Sequence, residues 1–325
     1  MLFSITIPAY KPQYLHECIE SVLMQTYKEF ELIIVDDNSP HQLEEIVSEF
    51  SDSRIRYYRN EKGFGGLHVV GNWNKCLEYA HGEFLICMGD DDKLLSNCLA
   101  DYAELIEKYP GLDIYHSRTE MIDENGHVID MQIPFPEYES VYSMIWNTWK
   151  GRDQYIGDFL FRTEALRAAG GFFDLPYAWS SDKVSEFRAA ISKGIANTQL
   201  PGFQYRKSTQ TITNSSNTQR ERYDALVKEK EWYRQFITDS HPMDELDKKY
   251  HGLIASHLDG YMAKRMATMR HWDLQVTPSH FSHWVKNRKK YGLSSSDLFD
   301  AFQVSTHEIT ARLLRPLLRL IHKHK

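Results

Sequence analysis

The chain has 325 residues, a formal net charge of −7 and 26% charged residues. This length is sufficient for one large domain, or for one domain with a helical extension, around a full hydrophobic core. The acidic balance does not favour a nucleic-acid-binding protein. No stretch reaches the roughly 18 consecutive apolar residues that a membrane-spanning helix needs.

The cysteines and the N-terminus indicate a cytoplasmic protein. Cys18, Cys76, Cys87 and Cys98 lack the CxxC spacing of metal sites, and we expect them to be reduced thiols. The first residues lead directly into a strand pattern, without the basic and apolar regions of a signal peptide.

Strand and helix patterns alternate over the first ninety residues. β-branched and alternating runs predict strands at 3–7, 30–35, 55–58 and 84–88. Apolar residues at helical spacing predict helices at 13–25, 43–50 and 72–80. This alternation predicts an α/β fold with a parallel, doubly wound sheet, in which ligands bind beyond the carboxyl ends of the strands.

Acidic residues follow two of these strands. Asp36 and Asp37 end the second strand, and Asp90, Asp91 and Asp92 follow the fourth. Adjacent carboxylates repel one another, and a cation relieves that repulsion. Their oxygens suit Mg²⁺ or Mn²⁺, and such a metal suits a diphosphate. The alternatives are a solvated acidic turn at the triplet and a helix-capping turn at the pair.

Other nucleotide-binding motifs do not fit. The loop with Gly63, Gly65 and Gly66 follows no strand-to-helix turn with dinucleotide-binding spacing, and no Walker sequence is present. A nucleotidyltransferase would carry a glycine-rich basic loop after the first strand, whereas residues 8–12 read Pro-Ala-Tyr-Lys-Pro.

The pattern becomes irregular after residue 112. We predict a strand at 113–116, a hairpin turn at 123–126, a loop at 134–158, a helix at 183–192 and a surface loop or lid at 208–218. Charged helical sequence follows, so the predicted domains are residues 1–220 and a helical extension at 221–325.

Four ordered segments resemble family 2 glycosyltransferases. They are residues 4–10 (Ser-Ile-Thr-Ile-Pro-Ala-Tyr), 21–27, 30–39 and 82–92, the last leading into the position of the family's DxD motif. The resemblance covers about residues 1–210. It implies a GT-A fold, with a Rossmann-like, mostly parallel sheet flanked by helices, that binds a nucleotide-diphosphate sugar and a divalent metal.

The resemblance also implies the nucleotide site. Pro8, Ala9 and Tyr10 would line the pocket for the base, although a core position is the alternative for Tyr10. Asp37 would accept a hydrogen bond from the base, with Asp36 in support.

The remaining roles follow from the same resemblance. Asp90 would hold the ribose and Asp91 the metal. Because three aspartates stand where the family often has two, Asp92 is the alternative metal ligand. Asp182 matches the catalytic base, although Ser181 replaces the glutamate that commonly precedes it, and a helix cap is the alternative role.

Together these features predict a glycosyltransferase of the hexosyltransferase class. The resemblance further implies that it would use Mn²⁺ or Mg²⁺, take its sugar from a UDP-sugar, the frequent donor in the family, and act with inversion on a glycan or lipid-linked glycan in bacterial surface-polysaccharide synthesis. A non-catalytic nucleotide-sugar or glycan-binding module is the alternative.

Arg206 and Lys207 are predicted to form a solvated surface pair, with contact to the diphosphate as the alternative.

The C-terminal residues predict a basic amphipathic helix, which is typical of a peripheral membrane segment. Its apolar arc contains Leu313, Leu314, Leu317, Leu320 and Ile321, and its basic arc contains Arg312, Arg315, Arg319, His322 and Lys323. Trp284 with the basic residues of 286–290 adds a second such stretch. The alternative is that both segments pack on the catalytic domain.

Overall fold

The computed structural model of the chain describes residues 1–208 and 217–322, with the side chains of residues 313 and 315–322 left out. Two compact units are present. One contains Met1–Thr211 and Ser240–Ile254, and the other contains Ile212–Asp239 and Ala255–Lys325. The domain boundary expected at residue 220 stays a prediction. Most of the predicted lid at 208–218 lies outside the described residues.

The strands of the described part form one sheet, and the predicted α/β class is confirmed. They are β1 (Phe3–Ala9), β2 (Phe30–Asp36), β3 (Ile55–Arg59), β4 (Phe84–Cys87), β5 (Lys93–Leu94), β6 (Ile114–Ile122), β7 (Val128–Met131), β8 (Tyr138–Glu139), β9 (Phe159–Arg162) and β10 (Ile195–Arg206). Their order is β3-β2-β1-β4-β9-β6-β10-β5, with β7 on β6 and β8 on β10.

Helices follow or connect these strands. They are α1 (Leu15–Leu23), α2 (Leu43–Ser48), α3 (Val69–Tyr79), α4 (Cys98–Lys108), α5 (Val141–Trp149), α6 (Thr163–Ala168), α7 (Ser181–Ala190), α8 (Gln219–Asp239), α9 (Glu245–Val276), α10 (Phe281–Lys286) and α11 (Ser295–His322). None of the described helices is long and apolar enough to cross a membrane.

β1 lies at the centre of the parallel half of the sheet. It pairs in parallel with β2 on one side and with β4 on the other, and β3 extends the sheet beyond β2. β1, β2 and β4 are buried on both faces, which explains their nearly continuous apolar sequences, whereas β3 is only partly buried. The chain order reverses at β1, so the carboxyl ends of β1, β2 and β4 meet at a topological switch point.

The other half of the sheet is mixed. β9 runs antiparallel between β4 and β6, and the long β10 runs parallel to β6 with register shifts around Pro201. The loop predicted at 134–158 is wrong, because α5 lies within it. Aromatic and β-branched residues hide the helical pattern of α5, but Ser140 was an available signal: its side chain caps the helix by accepting from the Ser143 amide.

The C-terminal helices bury aromatic and charged side chains. Trp284 is fully buried, and its indole N–H donates to Asp273 at 2.9 Å. The side chain of Trp284 is therefore not available as a surface group of the second stretch predicted around residues 284–290. Arg312 donates to the main-chain oxygens of Gln275 and Val276 at the end of α9. Apart from Arg312 and the exposed Leu314, the side chains of the predicted amphipathic arcs lie outside the described residues.

Candidate active site

The predicted site residues of the first ninety positions meet at the switch point. The amide of Asp37 donates to the carbonyl of Ala9 at 2.9 Å, which ties the end of β2 to the end of β1. The amide of Met88 donates to Thr6 at 3.0 Å, which ties the chain beyond β4 to β1. The strand ends therefore fix Asp37 and the aspartate triplet on either side of residues 8–11.

Asp90 anchors the chain that leaves β1. One of its oxygens accepts from the amides of Tyr10 and Lys11, each at 2.7 Å. Burial and the neighbouring charge of Asp91 raise the pKa of Asp90 to about 6, against the opposing effects of Lys11 and the two amides. The carboxylate of Asp90 is therefore a hydrogen-bond acceptor with a fixed position at the bottom of the site.

Asp92 is held against β10. Its Oδ1 accepts from the amide of Arg206 at 3.0 Å, and its side chain is buried. Burial, followed by the charge of Asp91, raises the pKa of Asp92 well above its usual range. A Cβ atom on Gly89 would lie 2.9 Å from carboxylate oxygens of both Asp91 and Asp92, so only glycine leaves room for this arrangement.

Asp91 is the least buried of the three aspartates, with 15% of its side chain exposed. Its Oδ2 lies 3.3 Å from the ammonium of Lys11, a residue that the sequence analysis did not select. The described residues contain no group of three or more side chains arranged as metal ligands. The carboxylate oxygens of Asp91 are hard ligands, and they already attract one cation, the Lys11 ammonium. They therefore suit a divalent metal that is bound by one or two carboxylates and takes its remaining ligands from phosphates.

Arg206 stabilises the loop that contains Asp90, Asp91 and Asp92. It is fully buried, its Nε donates to the carbonyl of Asp91 at 2.8 Å, and its Nη2 pairs with Glu17 at 2.9 Å. The guanidinium also lies 4.1 Å above the ring of Tyr14. The solvated pair expected from the sequence is therefore wrong for Arg206, although Lys207 is exposed.

Asp36 supports the end of β2. It is fully buried and accepts hydrogen bonds from the Ser39 amide, the Tyr57 hydroxyl and the Arg59 guanidinium. Each carboxylate oxygen therefore has a protein partner, and Tyr57 and Arg59 both come from β3.

Asp37 organises the glycine loop. Its carboxylate accepts from the amides of Phe64 and Gly65 at 2.8 and 3.0 Å, and from the side chain of Asn60 at 3.1 Å. Gly65 has φ +69°, a conformation that favours glycine. The loop is thus attached to the carboxylate that was predicted to bind the base, and that role stays a prediction.

The three residues predicted to line the base pocket differ in exposure. The side chain of Ala9 is fully buried in the core, Pro8 is half-buried, and Tyr10 is 47% exposed. The main chain of Tyr10 is fixed, because its amide donates to Asp90 and its carbonyl accepts from the Ser39 hydroxyl at 2.6 Å. The ring of Tyr10 is therefore presented to solvent on a rigid backbone.

Asp182 lies in the first turn of α7. Its Oδ1 accepts from the Lys183 amide at 2.8 Å, and Ser180, not Asp182, occupies the N-cap position. The preceding segment contains left-handed φ values at Tyr177, Ala178 and Ser180. Each costs about 1 kcal/mol for a residue other than glycine, so packing must hold the turn before Asp182 in place.

Tyr205 shares its surroundings with both acidic groups. Burial raises the pKa of Tyr205, and the charges of Asp92, Asp91 and Asp182 add to the effect. Its ring stacks on Tyr155 with centroids 3.9 Å apart. The charge of Asp182 and the charges of Asp91 and Asp92 therefore all act on the phenol of Tyr205. Neither tyrosine was singled out from the sequence.

The segment before Asp182 also contacts the glycine loop. A Cβ atom on Gly66 would lie 3.4 Å from the ring of Tyr177. The loop attached to Asp37 and the segment that leads to Asp182 are therefore neighbours.

One turn after Asp182, α7 carries a second acidic residue. Glu186 is fully buried, and neither carboxylate oxygen has a hydrogen-bond partner in the described part of the chain. Burial raises the pKa of Glu186 well above its usual range, the charges of Asp182 and Asp158 raise it further, and Lys183 opposes them. The surroundings of Glu186 therefore favour its protonated form, beside the candidate base.

Glu186→Gln should make the protein less sensitive to alkaline pH. An unfolded glutamate titrates near about 4.3, so the unfolded parent loses this proton first and its stability falls as pH rises towards the folded pKa. Each tenfold difference in proton affinity is worth about 1.4 kcal/mol. We expect the melting temperature of the variant to exceed that of the parent increasingly between pH 5 and 8. Exposed Glu164→Gln is the control, and parallel pH profiles for parent and Glu186→Gln would contradict this reading.

Comparison with known proteins gives this geometry a context. The profile of glycosyl transferase family 2 matches residues 4–170. The chain is 34% identical over 128 residues to the UDP-Glc:alpha-D-GlcNAc-diphosphoundecaprenol beta-1,3-glucosyltransferase WfgD of Escherichia coli, which is 39% of this chain and 49% of that protein. The chain thus spans about half the length of this relative.

Solved structures match over nearly the whole chain. S. aureus TarS residues 1–349 in complex with UDP-GlcNAc matches with a TM-score of 0.64 and 18% identity, over 96% of this chain and 92% of that one. The mannosyltransferase PcManGT from Pyrobaculum calidifontis, in complex with GDP-Man and Mn²⁺, matches with a TM-score of 0.51 and 12% identity, over 96% and 86%. At these identities the likeness concerns the fold.

Proposed function

The chain belongs to glycosyl transferase family 2, and from this premise we propose that it transfers a hexose from a UDP-sugar to a hydroxyl of a lipid-linked glycan. The expected family and GT-A fold are confirmed, and the chain is a glycosyltransferase. One observation carries the finer proposal: Asp37 and the aspartate triplet flank the exposed Tyr10 at the switch point.

In this proposal the nucleotide binds at the carboxyl ends of β1 and β2. The exposed ring of Tyr10 stacks on the base, the main chain of Pro8 and Ala9 lines the pocket, and Asp37 accepts a hydrogen bond from the base. Asp90 receives the ribose beside the two amides that it already holds. The UDP-GlcNAc complex of TarS and the name of WfgD as a UDP-Glc enzyme support the choice of nucleotide.

Asp91 is the proposed metal ligand, with Asp92 beside it and Mn²⁺ or Mg²⁺ as the ion. The ion would neutralise the negative charge that gathers on the leaving diphosphate. The partial exposure of Asp91 supports this assignment over Asp92, whose Oδ1 is bound to the Arg206 amide. The Mn²⁺ in the PcManGT complex supports the use of a divalent ion.

Asp182 is the proposed general base. It takes the proton from the acceptor hydroxyl as that oxygen attacks the anomeric carbon. Because the attacking oxygen and the leaving diphosphate then lie on opposite faces of the sugar, the anomeric centre inverts. The position of Tyr205 supports this role, since the charges of Asp182 and of Asp91 and Asp92 all raise the pKa of this one phenol.

The acceptor and the location complete the proposal. WfgD is named for a diphosphoundecaprenol-linked acceptor, which supports a lipid-linked glycan of surface-polysaccharide synthesis here. An enzyme that draws on nucleotide sugars and keeps four buried free thiols suits the cytoplasm. Peripheral membrane contact through α11 would hold the enzyme at the membrane that carries such an acceptor.

Nucleotide sugars should raise the melting temperature of the protein. A ligand that binds the folded state at 100 times its Kd adds about 2.7 kcal/mol of stability. We expect UDP-sugars with Mn²⁺ to stabilise the protein more than the same ligands with EDTA, and uridine alone to do so least. The measurement is a thermal-shift screen, followed by an assay of UDP release with a lipid-linked acceptor.

The outcomes separate the two functions considered. Stabilisation with slow UDP release in the absence of acceptor, accelerated by acceptor, supports the transferase. Stabilisation without any turnover would leave a nucleotide-sugar-binding module. The absence of stabilisation by any nucleotide sugar would contradict both.

A further inference from the structure

A lysine lies inside the acidic cluster at the proposed diphosphate position. The ammonium of Lys11 is 3.3 Å from Asp91 Oδ2. Within the described residues, Asp91 is the hydrogen-bonding and ion-pairing partner of this ammonium. The side chain keeps 26% of its surface exposed.

We propose that Lys11 binds the donor diphosphate directly and serves as the counter-ion of Asp91 until a divalent metal replaces it there. The inference rests on the proposed function, because it assigns a further ligand to the same donor. In the donor-free protein Lys11 neutralises Asp91. When metal and donor bind, its ammonium leaves the carboxylate and donates to phosphate oxygens.

The backbone restricts where this ammonium can go. The Lys11 amide donates to Asp90 at 2.7 Å, and the preceding Tyr10 amide donates to the same oxygen. The Cα of Lys11 is therefore fixed at the end of β1, beside the triplet. A lysine ammonium has three donors on a flexible stem, so it can turn from carboxylate to phosphate without any movement of the main chain.

The second cation of the cluster is committed elsewhere. Arg206 is fully buried and bonded to the Asp91 carbonyl and to Glu17, and its guanidinium stacks on Tyr14. It cannot leave these partners without unpacking the loop. Lys11 is partly exposed and makes one long ion pair, so it is free to respond to a ligand.

The exchange makes two opposite predictions for Lys11→Met. Without metal, UDP loses a cationic partner, and we expect its affinity to fall about tenfold, the scale of one charge-assisted hydrogen bond. For Mn²⁺ alone the competitor at Asp91 is gone, so metal affinity should rise. A purely structural lysine would not shift these two affinities in opposite directions.

The test measures binding in the full chain by titration calorimetry. UDP and pyrophosphate are titrated in EDTA, uridine is titrated as the ligand without a diphosphate, and Mn²⁺ is titrated alone. Lys248→Met removes the same charge from a surface pair with Glu245 and is the matched control. Lys11→Arg should retain most of the UDP affinity, and Lys11→Gln replaces Lys11→Met if that variant does not fold.

The proposal is supported if Lys11→Met binds UDP and pyrophosphate more weakly, binds uridine with unchanged affinity and binds Mn²⁺ more tightly. The control Lys248→Met should show none of these changes. Equal UDP affinity of parent and variant would overturn the role of Lys11 and leave the proposed function intact. If the parent bound neither UDP nor pyrophosphate, the proposed function would fail first, and the inference with it.

Discussion

Asp182→Asn is expected to lower turnover by roughly two to four orders of magnitude, the usual contribution of a general base. The amide keeps the shape of the side chain, and its oxygen can still accept from the Lys183 amide, as Asp182 does at 2.8 Å. What it cannot do is hold the proton of the acceptor hydroxyl. Donor affinity should therefore stay within a few-fold of the parent.

The measurement is single-turnover transfer together with UDP titration. Asp174→Asn, the same change at an exposed site in the preceding segment, is the control. Turnover within a few-fold of the parent would make Asp182 a structural residue of the first turn of α7. Asp158 would be a poor replacement, because it is fully buried and accepts from Thr119 and Gln132.

Asp91→Ala is expected to abolish manganese-dependent UDP binding while the fold survives. Asp91 is partly exposed, and its carboxylate has only the partly exposed ammonium of Lys11 as a hydrogen-bond or ion-pair partner among the described residues, so its removal leaves few buried groups unpaired. The loss of a hard anionic ligand removes the attraction between protein and metal. The difference in UDP affinity between Mn²⁺ and EDTA should disappear.

Calorimetry with and without Mn²⁺ measures that difference, and the melting temperature checks the fold. Asp130→Ala removes an equal charge from exposed β7 and should change neither. A persistent metal effect in Asp91→Ala would exclude Asp91 and direct the same experiment to Asp92. The alanine variants of Asp91 and Asp92 together decide which carboxylate of the triplet binds the ion.

The parallel half of the site follows from the sequence with little ambiguity. Apolar runs end at Asp36 and at Asp90, and a doubly wound sheet brings such ends together because its parallel strands point the same way. β2 and β4 begin where predicted, and both lie against β1. Local pattern and global topology agree in this region.

The rest of the site depends on contacts distant in sequence. Arg206 meets the Asp91 carbonyl across 115 positions, and the pairing depends on how β10 lies beside β6 and β5. No local spacing predicts that contact. Lys11 directly follows the motif at residues 4–10, but its ion pair with Asp91 forms because β1 pairs with β4. The stacking of Tyr205 on Tyr155 likewise depends on where β10 lies in the sheet.

Gly89 limits the site through the space around it and not through its backbone conformation. Its backbone is ordinary, since its φ lies outside the left-handed range. Every other amino acid would nevertheless place a carbon atom 2.9 Å from the carboxylates of Asp91 and Asp92. Those oxygens would have to move while the strand before them stayed in place. A larger residue at position 89 is therefore expected to displace both carboxylates, so a residue without a functional group of its own sets where they lie.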